Sequence, residues 1–282
     1  MTHSDNPSYI LGHSQPELVR LQRQARLIRP ISERFLRSAG VVPGMRVLDV
    51  GSGAGDVSFL LGDVSFLLAD LVGETGSVLG VDQAEAAIAE GKRRATIQGR
   101  QNVHFVVGDP VTMVFEQPFD AVVSRFVLQF QRSPSAMLRQ LSAHLRTGGL
   151  LFCHELDWGA VQSLPVVPTF DQCCQWCRKT LALSDIETQM GTHLYRSFLA
   201  ADLQPPELQI ETLSGGDAKG IELIEWIVDL VAILLPEIER LGVSTATEVD
   251  LPTLLERAKQ EVMANNSLIM THFQVGAWSR KQ

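Results

Sequence analysis

Two rhythms of apolar residues divide the chain. From Arg46 to Glu155, short and nearly continuous apolar runs alternate with longer stretches in which apolar residues recur every three or four positions. The runs are R-V-L-D-V from Arg46, S-V-L-G-V-D at 77 to 82, V-H-F-V-V-G-D at 103 to 109, F-D-A-V-V-S at 119 to 124 and L-L-F-C-H-E at 150 to 155. Runs this short, with so few polar positions, predict strands buried on both faces, hence an α/β fold with a parallel sheet covered by helices on each side. Between the fourth and fifth runs, Met137, Leu138, Leu141 and Leu145 share one helical face, and Thr147-Gly148-Gly149 is expected to close that helix.

The flanking regions follow the helical rhythm. Ser14-Gln15-Pro16-Glu17 has the spacing of a capping box, and Leu18, Leu21, Ala25 and Ile28 follow at helical intervals. That helix is expected to end near Pro30, a second to run to about Ala39, and Val41-Val42-Pro43-Gly44 to form a turn. Beyond Trp158, residues 159 to 203 and 214 to 266 read mostly as helix, with one strand near Glu207 to Leu213 and a last strand over 267 to 278. No Gly-, Ser- or Pro-rich linker separates these parts, so the later helices read as insertions covering the sheet's ligand-binding edge.

Composition narrows the function classes. The 282 residues carry a formal charge of -8, whereas a nucleic-acid backbone is met by a basic surface. No basic stretch followed by an apolar core opens the chain, so no export signal is expected. The longest apolar stretch, Ile221 to Leu235, contains Glu222, Glu225 and Asp229; it is too short and too charged to span a bilayer and reads as a buried helix. Cys174 and Cys177 have Cys-X-X-Cys spacing, but no second pair completes a metal site, so with Cys153 and Cys173 they are expected to be reduced, packed thiols. A cytoplasmic protein without a metal is the expectation.

The chemistry concentrates where the first run ends, in V-L-D-V-G-S-G-A-G from Val47 to Gly55. In an open parallel sheet, ligands bind beyond the carboxyl ends of the strands, where the strand order reverses. Glycines at 51, 53 and 55 let the backbone turn sharply and approach a ligand. Asp56 stands where a dinucleotide fingerprint needs its third glycine, which argues against a nicotinamide-dependent oxidoreductase. Asp49, inside the strand before the loop, suits a ligand carrying an ammonium group. Asp82 ends the second strand, where a carboxylate can accept both hydroxyls of a ribose, and Asp109 ends the third, where it can accept a hydrogen bond from an exocyclic amine. Each acid alone has a competing reading as a helix cap or turn residue; in order and at successive strand ends they point to an amino-acid nucleoside.

With these residues in view, V-L-D-V-G-S-G-A-G, V-L-G-V-D-Q, V-V-G-D-P, F-D-A-V-V-S-R-F-V-L and L-R-T-G-G-L-L together resemble the successive motifs of the class I S-adenosylmethionine-dependent methyltransferases, particularly the small-molecule group around the ubiquinone and menaquinone enzymes. The resemblance covers about residues 45 to 157. It implies a Rossmann-like, seven-stranded, mostly parallel sheet with an antiparallel last strand, helices on both faces and an inserted helical cap. The implied organisation is an N-terminal helical lid (1–40), a cofactor-binding core (41–158), mostly helical substrate-covering insertions (159–266) with one core strand near 207–213, and a last core strand (267–282). It also implies S-adenosyl-L-methionine as cofactor, with Gly51 and Gly53 along its methionine and ribose portions, Asp49 near its amino group and Asp82 on its ribose. Gln83 would pack by the adenine, Asp109 would hold the adenine amine, and Ser124 or Arg125 would offer a backbone carbonyl to the methionyl ammonium. Ser52, Gly108 and Pro110 complete the expected cofactor site.

One feature is unusual for any loop of this type: G-D-V-S-F-L-L occurs twice in succession, at 55 to 61 and 62 to 68. Seven residues advance a helix by about 700°, within about 20° of two full turns, so the same face stays buried. Val57, Leu60, Leu61, Val64, Leu67, Leu68 and Leu71 hold one stripe through both copies. The first copy is expected to start the helix and the second to lengthen it or bulge at Gly62, pushing Asp82 further from Gly51 in sequence than the family has it.

Methyl transfer from a sulfonium is an in-line displacement, and a general base is needed only if the acceptor loses a proton during attack. His154 and Glu155 are the candidate bases, each with a competing reading as a hydrogen-bonded structural residue; His193, Tyr195 and His272 are weaker candidates. Trp158, Phe170, Trp176 and Trp226 suit an apolar acceptor pocket or simple core packing. Asn6-Pro7-Ser8-Tyr9 is a poor match to the amino-methylating signature of nucleic-acid enzymes, and Tyr9 is instead a candidate lid residue over the cofactor. The expected function is methyl transfer to an O, N or activated C atom of a small, largely apolar or aromatic metabolite, without nucleic-acid or membrane partners and with a homodimer allowed for. The competing class is a non-catalytic cofactor-binding sensor or scaffold.

Overall fold

A computed structural model describes residues 15–52 and 63–282. In chain order the elements are α1 (Gln15–Ser38), β1 (Arg46–Val50), α2 (Asp63–Val72), β2 (Ser77–Asp82), α3 (Glu85–Ile97), β3 (Val103–Val107), β4 (Phe119–Arg125), α4 (Pro134–Ala143), β5 (Leu145–Asp157), β6 (Gln162–Leu164), α5 (Pro168–Leu183), α6 (Met190–Ala200), β7 (Glu207–Gly215), α7 (Asp217–Arg240), α8 (Ala246–Val249), α9 (Leu251–Asn265) and β8 (Leu268–Arg280). The strands form one sheet in the order β3-β2-β1-β4-β5-β8-β6, with β7 also paired to β8. β1 to β5 are parallel, with Val50 opposite Val81 on one side and Ser124 on the other. The antiparallel end expected from the resemblance is present in the pairing of β8 with β6.

Contacts divide the chain into two compact units. One comprises Leu21–Asp157, Gln189–Glu211 and Gln274–Gln282, the other Trp158–Thr188 and Thr212–Phe273 with the described residues up to Arg20. In the first, four of the apolar runs become covered strands, with Val47, Leu48, Val122, Val123, Leu150 and Phe152 all buried, whereas β3, expected to be covered on both faces, lies at the sheet edge and exposes His104, Val106 and Val107. In the second, α5, α7 and α9 pack on one another through Phe170, Cys177, Ile227, Val231, Leu254 and Val262. The 221-to-235 stretch lies within α7 with Leu223, Trp226 and Val231 buried, and no helix among the described residues is long and apolar enough to cross a membrane.

Three local expectations need correction. α1 runs unbroken through Pro30, because its buried face of Leu27, Ile28, Ile31, Phe35 and Leu36 continues past the proline. Covering these side chains, at about 1.5–3 kcal/mol each, outweighs a proline cost of about 3 kcal/mol. Thr147-Gly148-Gly149 does not close a helix: α4 ends at Ala143, the N–H of the next residue, His144, caps the Leu141 and Ser142 carbonyls, and Leu145, expected on the helical face, lies with the glycines inside β5. There the pairing jumps from Phe119 opposite Leu145 to Ala121 opposite Leu150, and Gly148, at φ +75°, meets the Lys281 carbonyl through its N–H at 2.8 Å. Among the described residues the sheet has eight strands, the unforeseen one being three-residue β6, opposite Leu268–Met270.

Candidate functional site

Sequence order runs outward from β1 to β3 and then returns to β4 on the far side of β1, so the order reverses between β1 and β4. The first turn after β1 is made by Gly51, whose φ of +66° is strained for any residue with a Cβ. The Gly51 and Ser52 N–H groups both donate to the Val81 carbonyl, at 2.9 and 3.1 Å, which fixes the start of the loop against the end of β2. Gly53 and the first copy of the repeated phrase lie outside the described residues, as do Asn6 to Tyr9; the expectation that the first copy starts the helix falls there too.

The acids occupy neighbouring strand ends. Asp49 is buried on β1 and accepts a hydrogen bond from the Ser65 hydroxyl of α2. Asp82, also buried, closes β2, and its Oδ1 accepts the Ala84 N–H at 2.9 Å. Gln83 beside it is exposed. The Gly108 N–H donates to the Asp82 carbonyl at 2.9 Å, so the turn after β3 is tied to the end of β2. Asp109 stands two residues past the end of β3 and is half-buried; its Oδ1 accepts the Val111 N–H at 2.9 Å. Pro110 is buried, and its carbonyl accepts from His144 Nε2 at 2.7 Å. Ser124 and Arg125 end β4, the serine buried and the arginine half-buried. Carboxylates at the ends of β1 and β2 and just past β3, beside a glycine turn, form a set of hydrogen-bond acceptors that fits a hydroxyl-rich, cationic nucleoside.

The two candidate bases, adjacent on β5, are both fully buried. His154 Nε2 donates to Gln274 Oε1 at 3.0 Å, which leaves Nδ1 to accept from the Ser32 hydroxyl at 3.2 Å. Arg125 Nη1 donates in turn to Ser32 Oγ at 3.3 Å, giving a chain from β4 through α1 and β5 to β8. Phe35 and Phe126 cover the imidazole, with ring centroids 5.1 and 5.0 Å away. Burial, reinforced by the Arg125 charge, holds His154 down at about 3. Glu155 Oε1 accepts the Val127 and Leu128 N–H groups at 2.9 and 2.7 Å, and Gln129 N–H also faces it. Burial outweighs those donors and pushes the carboxyl up to about 8.

The weaker candidates separate. His193 is half-buried and Tyr195 is exposed on α6. His272 is buried edge-on between Trp158 and Trp226, centroids 5.0 and 4.7 Å away. Phe170 is buried in the α5–α7–α9 core, and Trp176 lines a cleft of about 530 Å³ with Val243 and Leu254, rimmed by Gln172, Glu248 and Arg257. The four cysteines are buried thiols, Cys153 and Cys173 pushed up to about 12 by burial. Sequence reasoning missed Ser65, Ser32, Gln274 and the 127–129 amides. For Ser65 a signal existed, a serine among the apolar residues of a buried helix, but the identical first copy offers Ser58 equally.

A family model for a methyltransferase domain matches residues 42–202. The chain is 32% identical over 142 residues to a demethylmenaquinone methyltransferase of Staphylococcus saprophyticus, covering 50% of this chain and 54% of that one. It is 32% identical over 141 residues to the protein of the same name from Staphylococcus aureus, covering 50% and 52%. The chain thus spans about half the length of the curated relatives it matches. Among solved structures, one of a putative methyltransferase from Bacillus halodurans superimposes with a TM-score of 0.57 at 18% identity, over 88% of this chain and 97% of that one. One of a putative sarcosine dimethylglycine methyltransferase from Galdieria sulphuraria gives 0.50 at 14% identity, over 96% and 93%. These two likenesses are of fold.

Proposed function

Because the chain belongs to the methyltransferase-domain family, we propose that it transfers the methyl group of S-adenosyl-L-methionine to a small, largely apolar or aromatic metabolite, at oxygen, nitrogen or activated carbon in that order of preference. The observation that carries the reading is the ordered set of Asp49, the Gly51 turn, Asp82 and Asp109 at or just past the ends of the adjacent strands β1, β2 and β3, running outward from the point where the strand order reverses. Demethylmenaquinone, the compound named for the staphylococcal relatives, belongs to the same apolar ring class.

The bound sulfonium supplies the electrophilic methyl group. The chain's own residues orient and enclose it. Asp82 accepts the ribose hydroxyls while its other oxygen stays on the Ala84 N–H, and Asp109 accepts the adenine amine. Asp49, held by Ser65, favours the ammonium electrostatically, and a carbonyl of Ser124 or Arg125 accepts its N–H. Ser52, Gly53, Gly108 and Pro110 shape the backbone around the nucleoside, and Gln83 lies along the adenine. Positioning of this kind supplies much of the rate of a displacement reaction. His154 serves as a positioning residue in this scheme, because both ring nitrogens are engaged and the imidazole stays neutral. The buried thiols fit a cytoplasmic protein.

Calorimetry with S-adenosylhomocysteine tests the cofactor site. Asp82→Ala is expected to weaken binding about 10- to 100-fold, the loss of one charge-assisted hydrogen-bond pair. Unchanged affinity in that variant overturns the site. Transfer of label from methyl-labelled donor into a small molecule of a cell extract tests the activity.

A further inference from the structure

We propose that Glu155 is a positioning residue for the methionyl end of the cofactor, acting through the turn that follows β4. The inference rests on the reading that the methionyl ammonium meets a Ser124 or Arg125 carbonyl. Just beyond those residues the backbone has an uncommon shape: Phe126 sits at φ +58°, in the left-handed region that costs a bulky side chain energy. Something must hold it there. On one side the Phe126 ring packs on His154, and its N–H donates to the His154 carbonyl at 2.9 Å. On the other, Glu155 gathers the N–H groups of Val127, Leu128 and Gln129, the open amino end of the short 3-10 turn Leu128–Phe130.

Among the described residues Glu155 is the side-chain acceptor for the Val127 and Leu128 amides, and both residues are buried. Remove the carboxyl and these amides must find other acceptors, which requires the turn to unwind and the Ser124 to Phe126 carbonyls to swing. Adjacent residues on one strand therefore clamp the same turn from its two sides. A carboxyl so placed has no route to substrate protons: Oε1 is committed to the amides, and Oε2 is sealed from solvent. Its influence on methyl transfer passes through the backbone it holds.

The test compares two ligands in three proteins. S-adenosylhomocysteine carries the methionyl ammonium, whereas methylthioadenosine keeps the nucleoside and lacks it. In Glu155→Leu, calorimetric affinity for S-adenosylhomocysteine should fall about tenfold or more while that for methylthioadenosine stays within about threefold, since the lost contact is one hydrogen-bonded charge. Glu155→Gln keeps an acceptor oxygen and should restore the ratio to within about threefold of wild type. Equal losses for both ligands, or no loss, overturn the proposal, because a purely structural role does not move the ratio. If wild type binds neither ligand, the cofactor reading fails instead. Should Glu155→Leu not fold, amide hydrogen exchange in wild type decides: protection at 127–129 must rise with S-adenosylhomocysteine and not with methylthioadenosine, and an equal rise refutes the role.

Discussion

The two faces of β5 at its carboxyl end treat adjacent titratable residues in opposite ways. His154 is satisfied by side chains, Ser32 from α1 and Gln274 from β8, whereas Glu155 is satisfied by backbone amides from the turn after β4. Both are uncharged near neutral pH, one because burial removes a proton and the other because burial retains it. The lesson is that a base-like residue type at a strand end does not establish a base; the hydrogen bonds already made there do.

The largest expected effect comes from removing the backbone anchor. Glu155→Leu leaves buried amides without an acceptor and should lower stability by about 3–5 kcal/mol in urea denaturation. His154→Leu strands the Ser32 hydroxyl and the Gln274 carbonyl and should cost less, about 2–3 kcal/mol. If the histidine variant proves the more damaging, the ranking of the two faces is wrong.

Acidity separates the faces more finely. Between the ordinary 4.5 of a glutamate and about 8, the native protein keeps a proton on Glu155 that the unfolded chain has released, so this residue makes stability fall as pH rises through that window. Between about 3 and the ordinary 6.5, the unfolded chain holds a proton on His154 that the native protein does not, so stability falls as pH drops. The two slopes, each at most about 1.4 kcal/mol per pH unit, oppose one another where the windows overlap. Thermal melts across pH should show a plateau from about 4.5 to 6.5 flanked by two declining limbs. Glu155→Gln should flatten the alkaline limb and His154→Gln the acid limb; a limb that survives its own substitution belongs to other groups.

The smallest effect is expected for a change that touches neither face. Deleting one copy of G-D-V-S-F-L-L yields the same protein whichever copy is removed, and leaves one serine at the same helical position to meet Asp49. Affinity for S-adenosylhomocysteine should stay within about twofold, well under 1 kcal/mol. A large loss would give the repeat a part in the loop.

Much of the sheet was legible because buried parallel strands announce themselves as apolar runs: β1 and β2 fall on the predicted residues, and β3 ends two residues short at Val107. β6 was not, since three residues with two exposed ends carry no pattern and become a strand only by meeting β8. The acids were legible as acids at strand ends. Their partners were not: Ser65 lies 16 residues from Asp49 and Gln274 lies 120 from His154.

By itself the sequence determined what depends on near neighbours: the order of the parallel strands β1 to β5, the positive-φ glycine turn after β1, and the helix-compatible length of the repeat. The tertiary structure decided which residues lose water, and with it the charge and role of each. His154 and Glu155 differ by one position in the chain and by their side-chain hydrogen-bond partners in space, because a strand sends successive side chains to opposite faces and the fold covers those faces with different groups.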